Sequence, residues 1–143
     1  MKRIRAKYAE ETFNPNMGRA ILYGIAAAAL SSACWYTIEV VTGLELSIIS
    51  IAAGIMIGLG IHLGSGRKRG MRLQILSVTL AAVSTLFVEW FAAQHFASVS
   101  AGRAVFIGIL EPAFWKSSMN LNQFLIYFLG LVAAYGACKP RTI

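Results

Sequence analysis

Charge is what this chain has least of. Only 13% of its 143 residues are Asp, Glu, Lys or Arg, while 57% are hydrophobic, a composition too apolar for a soluble domain of this size. There are two cysteines, Cys34 and Cys138, with no C-x-x-C spacing, so a disulfide framework and a zinc ribbon are both excluded. Each reads as a small apolar packing residue. The two histidines, His62 and His95, are too far apart in sequence for ligand spacing, which argues against a metal centre. No serine–histidine or cysteine–histidine pattern, phosphate-binding loop or dinucleotide fingerprint is present, so the sequence implies neither an enzyme nor a cofactor. No secretory signal is expected in residues 1–19, MKRIRAKYAEETFNPNMGR, which are polar and carry no apolar core or cleavage site.

What is present is a series of apolar runs separated by short polar links. The most telling is Thr42 to Gly64, TGLELSIISIAAGIMIGLGIHLG. Its segment 46–63 has no formal charge, and at ~1.5 Å per residue it is about as long as a bilayer core is thick. Gly54 and Gly58 form one small-x-x-x-small line, extended a turn back by Ser50, and Gly60 and Gly64 form a second roughly 120° around the helix. Two lines imply two close neighbours. They read first as contacts between helices of one subunit, with an oligomer seam or a pore lining as the alternatives.

In chain order, residues 1–19 form a basic arm, closed by the turn signal Asn14-Pro15-Asn16. The arm reads as a solvated tail, or as a short amphipathic helix on an anionic membrane surface. The first span is expected at about 20–41, rich in alanine, with Gly24 on a small-residue surface and Trp35 and Tyr36 toward its far end, where aromatic residues favour the interface. Thr42-Gly43-Leu44-Glu45 is short enough to make a tight hairpin, with Gly43 as helix cap. The second span is 46–63, with His62 as an interfacial residue. The basic, glycine-punctuated loop at 64–72 reads as flexible.

The third span, about 73–93, is the most polar. Its Ser77, Ser84 and Thr85 share a face that should meet other helices, and Glu89 lies about a turn from its far end, within reach of water. Residues 94–120 form a long connection whose apolar stretch 104–110 is too short to span and is broken by Glu111-Pro112. Phe106, Phe114 and Trp115 suit it to an interfacial or re-entrant course. The fourth span is about 121–138, capped by Asn120 or Ser118, with Gly130 among its small residues, and residues 140–143 form a tail. The expected fold class is thus an all-α membrane protein with four transmembrane helices and an interfacial or re-entrant segment between the third and fourth.

Four spans place both termini on one side. That side carries 11 of the 13 Lys and Arg residues, five in the arm, four in the 64–72 loop and Lys139 and Arg141 in the tail; Arg103 and Lys116 fall opposite. The positive-inside rule then puts both termini in the cytoplasm, and a bacterial inner membrane is the expected location. The net charge of +7 becomes a topology signal and loses its value as a sign of nucleic-acid binding. Glu39, Glu45, Glu89 and Glu111, with His95, gather on the outer side as the one constellation able to form a polar or ion site. Without convergence they are surface carboxylates.

Three stretches carry a resemblance. They are Gly24 and Trp35 in the alanine-rich first helix, Thr42-Gly43 leading into Ala53-Gly54-x-x-x-Gly58-x-Gly60, and Leu121-x-x-Phe124-Leu125-x-Tyr127-x-x-Gly130-Leu131-x-Ala133-Ala134-Tyr135. In this order they resemble small bacterial four-helix integral membrane domains of uncharacterised function, over roughly residues 20–139. The 94–120 connection departs from that pattern, and the soluble module that often accompanies such domains is not matched. The resemblance implies the four-span layout and no activity. The expected function is a non-enzymatic membrane subunit or scaffold. Its expected partners are membrane lipid and either itself or another membrane protein. The alternative is a homo-oligomeric channel, transporter-like protein or membrane-perturbing effector.

Overall fold

A computed structural model describes residues 16–44, 46–103, 106, 108, 110–118 and 120–139. The described residues are helical, with no strand. They form α1 (Met17–Thr42), α2 (Ile49–Gly64), α3 (Met71–Ala101), α4 (Pro112–Ser118) and α5 (Leu121–Ala137). Both α1 and α3 are long and apolar enough to cross a membrane, whereas α2 and α5 are apolar but shorter. The arm at 1–15 and the tail at 140–143 lie outside the described residues.

The ends of the helices follow from a few residues. Asn16 starts α1, its side-chain oxygen accepting from the Arg19 N–H at 3.3 Å, so the helix takes in Arg19 rather than beginning at residue 20. Gly43 stops it in the left-handed conformation (φ 66°), with its N–H on the Glu39 carbonyl at 2.8 Å. Before α2, the residues from Leu46 form a tighter turn of i→i+3 bonds, Ile49 N to Leu46 O at 3.0 Å and Ser50 N to Ser47 O at 3.0 Å. The largest departure from expectation is α3. It does not stop near residue 93 but continues to Ala101, because nothing between Met71 and Gly102 breaks a helix; Gly102, at φ 64°, ends it. Residues 94–101 therefore belong to this helix and not to the connection. Pro112 sits at the first position of α4, where its missing N–H has no intrahelical partner to lose. Phe114 of α4 is buried, and Phe106 meets Trp90 edge-on at 6.2 Å, so these described residues of the connection lie back against α3.

Next to one another in the bundle, α2 and α3 are its shared centre, and each packs against both α1 and α5. The glycines of α2 show how this is achieved. A Cβ at Gly54 would overlap the Gly130 carbonyl oxygen, and one at Gly58 would stand 2.5 Å from Ala137 Cβ and 3.0 Å from the Ala134 carbonyl. Ser50 donates to the Ile126 carbonyl at 3.4 Å on the same line. On the other line, a Cβ at Gly64 would stand 2.5 Å from the Arg19 carbonyl, and one at Gly60 3.0 Å from that of Tyr23. The Ser50–Gly54–Gly58 line thus belongs to α5 and the Gly60–Gly64 line to α1, each letting the two helices approach closely. Gly24 faces Ile61 and Leu80, where α1 meets α2 and α3.

Side-chain bonds tie the same seams. Ser77 donates to the Ala134 carbonyl at 2.8 Å, and the Cys138 thiol to the Gly58 carbonyl at 3.4 Å. Cys34, in contrast, is exposed rather than packed. The 65–70 loop is knitted rather than loose: the Ser65 hydroxyl and His62 Nδ1 both reach the Lys68 carbonyl, at 3.0 and 3.1 Å. Arg69 donates to the Lys139 carbonyl at 2.9 Å, fastening this loop to the end of α5.

Candidate functional site

One buried face of α1 runs through Ala20, Gly24, Ala28, Ser31, Trp35 and Glu39, spaced four or three apart. Its last two members place an indole and a carboxylate one turn apart inside the bundle. Trp35 and Glu39 are each 1% exposed, and Trp35 Nε1–H donates to Glu39 Oε1 at 2.7 Å. Trp35 is therefore a core residue with its polar atom spent on a carboxylate, not an interfacial anchor. Glu89, on α3, is also buried and accepts a hydrogen bond from the Tyr127 hydroxyl of α5.

Tyr127 joins the two halves. Its ring lies 6.1 Å from that of Trp35 and tilted by 51°. Three helices, α1, α3 and α5, thus contribute to one buried polar centre, with Val88 and Ala53 as its apolar packing. An ionised carboxylate is costly to bury unless donors meet it, and indole N–H and phenol O–H are donors that bring their own apolar bulk. Such a centre can lock helices in register, and it can take up and release a proton.

Of the candidate polar set, Glu39 and Glu89 are both buried and are linked through the neighbouring rings of Trp35 and Tyr127, and the other described members lie outside this link. Glu39 and Glu89 are interior groups rather than surface carboxylates, and Glu89 is not one turn from a helix end, because α3 runs on past it. His95 is half-buried and stands edge-on to the Tyr36 ring at 6.4 Å. Glu111 is exposed beside Gly108 in the connection. Glu45 lies outside the described residues. Among the described residues, no three His, Cys, Asp or Glu side chains come together as a metal would need.

No family model, no curated protein and no solved structure matches this chain. The reading of its function rests on its own chemistry. Sequence reasoning missed the role of Trp35 and Tyr127. The usable signal was the continuous inward face of α1, which ends in Trp35-x-x-x-Glu39 and points both residues to the same side.

Proposed function

We propose that the chain is a four-span integral membrane protein, with α1, α2, α3 and α5 as spans. We further propose that it serves as a non-enzymatic subunit or scaffold of a membrane complex. The observation that carries the reading is the distribution of side chains. The large apolar ones, such as Leu22, Ile25, Leu59, Phe87, Phe91, Phe128 and Leu129, point outward and are exposed. Inside, beside a small apolar core of Trp35, Ile57, Ile61, Leu73 and Val88, lie glycine, alanine, serine, Gln74 and two glutamates. A soluble bundle buries its large apolar side chains and holds no such outer shell. Hydrocarbon favours this inverted arrangement, because there helices associate through small residues and polar bonds. Counted as i→i+3 turns plus helix, the second span runs from residue 46 to 64, about 28 Å at ~1.5 Å per residue. The excess of Lys and Arg at the Arg19 end supports a bacterial inner-membrane protein with cytoplasmic termini.

Three results test this reading. The chain stays with the membrane after alkaline carbonate extraction. A fluorescent-protein fusion after Ile143 glows, while a phosphatase fusion there is inactive. In a Cys34→Ser background, Arg103→Cys is labelled from outside intact cells by an impermeant maleimide. Since both glycine lines of α2 are used within the chain, a protein partner would meet the large apolar faces or the connection beyond α3. Extraction in mild detergent is expected to give an assembly larger than one chain, and a monodisperse monomer would remove the subunit reading.

The Glu39–Trp35–Tyr127–Glu89 centre favours a second reading, a proton-coupled carrier or channel. Two buried carboxylates, one of them bonded to a tyrosine hydroxyl, are groups on which a proton could be carried across the membrane interior. Liposomes containing the protein would then carry a proton flux that Glu89→Gln alters. Flux equal to that of empty liposomes would exclude this reading.

A further inference from the structure

A cleft of about 200 Å³ opens between α3 and α5, lined by Ala82, Thr85 and Leu86 on one side and Phe124, Phe128 and Leu131 on the other. Tyr127 contributes to its wall. Both hydroxyls at the cleft are already engaged, Thr85 with the Ala81 carbonyl at 2.9 Å and Tyr127 with Glu89. The cleft therefore offers hydrocarbon contact and no open hydrogen-bonding group.

The cleft continues toward a basic end. On α3, Arg72, Ile75, Thr79, Ala82 and Leu86 are spaced three and four apart and lie on one stripe. On α5, Phe124, Phe128, Leu131 and Tyr135 make the facing stripe, and Lys139 follows in the bend past the helix end. Arg72 and Lys139 are both exposed, and Arg69 is fastened beside them by its bond to the Lys139 carbonyl. The described carboxylates Glu39, Glu89 and Glu111 all lie toward the other end of the bundle, so among the described residues no carboxylate stands beside these three cations. From Arg72 to Ala82 is ten residues, ~15 Å along the helix, or about one leaflet of a ~30 Å hydrocarbon core.

We propose that this face binds one anionic phospholipid. Its phosphate sits among Arg69, Arg72 and Lys139, and one acyl chain lies along the two stripes with its end in the cleft. The assignment rests on the membrane reading above. Charge and depth decide for a lipid over a second copy of the chain: two copies meeting on this face in one membrane orientation would bring their cations together. Interhelical basic pockets at a membrane surface suit anionic headgroups.

The test uses the full chain in mild detergent, with phosphatidylglycerol and phosphatidylcholine of identical acyl chains as probes and native mass spectrometry as readout. One phosphatidylglycerol per chain is expected to be retained, and adding it to delipidated protein is expected to raise the melting temperature, whereas phosphatidylcholine does neither. Glycerol phosphate should not displace the lipid, because the acyl chain supplies part of the binding. Arg72→Gln with Lys139→Gln should weaken retention roughly tenfold or more. Ala82→Trp fills the cleft and leaves the cations intact, and it should also release the lipid. Thr79→Trp, at an exposed point of the same stripe, serves if Ala82→Trp loses its helical circular dichroism. Equal binding of the two lipids, or unchanged retention in a folded cleft-filling variant, overturns the proposal. Release of the chain by carbonate instead overturns the membrane reading itself.

Discussion

A Gly54→Ala chain should fail to close α5 onto α2. The added methyl would occupy the place of the Gly130 carbonyl oxygen, and that neighbour is backbone, with no rotamer to change. The opposite side of the contact is equally tight, since a Cβ on Gly130 would lie 2.8 Å from the Ser50 carbonyl. Relief requires the two helices to separate. Separation lengthens the Ser50 bond to Ile126 and the Cys138 bond to Gly58, and it opens the dispersion contacts along the seam. Ordinary overpacking costs about 1–3 kcal/mol, and a backbone collision should exceed the upper end of that range. Gly136→Ala is the matched control. It lies on α5, nothing lies within 4 Å of its added Cβ, and a gain of up to about 1 kcal/mol in helix propensity is expected. Unfolding in detergent by a sodium dodecyl sulfate titration compares the two. Equal midpoints for Gly54→Ala and Gly136→Ala would show that the seam is not there.

Trp35→Ala should be the most damaging change outside the glycine seams. Truncating a fully buried tryptophan costs about 3–5 kcal/mol in lost contacts and residual cavity. Here it also takes the donor from Glu39 Oε1, and stripping a buried acceptor of its partner adds about 1–3 kcal/mol. The two contributions are separable. Trp35→Phe keeps most of the ring contact with Tyr127 and loses the N–H, and Trp35→Phe with Glu39→Leu removes both polar partners. Recovery of part of the loss in the double variant would show that the carboxylate, rather than the vacated volume, carries that share. A Trp35→Ala chain with an unchanged unfolding midpoint would contradict the burial of this centre.

The helical class was legible because long uncharged runs and small-residue spacing leave few alternatives. The hairpin at Gly43 was legible because only one residue there suits a left-handed cap. Placing the Ser50–Gly54–Gly58 line was beyond the sequence: its mate is a carbonyl on Gly130, and a backbone atom leaves no mark on composition. The far end of α3 was misjudged because polarity rises at Gln94, whereas helices end at breakers, and none occurs before Gly102. That error carried into Glu89, which reads as near water only if the helix stops early. Trp35 was misplaced by giving weight to residue type over phase. Tryptophan does favour interfaces, but this one shares an angular position with Gly24 and Ala28, and the buried face decides. The link from Glu39 through Trp35 and Tyr127 to Glu89 depends on the relative rotation of α1, α3 and α5, which no single helix encodes.

Because α2 has two bare-backbone faces, the order of synthesis matters. α1 precedes α2 and is at hand to cover Gly60 and Gly64 as the hairpin forms. The helix that covers Gly54 and Gly58 is α5, which follows all of α3 and the connection in the chain. Until α5 is made, one side of α2 therefore has no mate within the chain, and a chain stopped before Leu121 is expected to leave Gly54 and Gly58 uncovered.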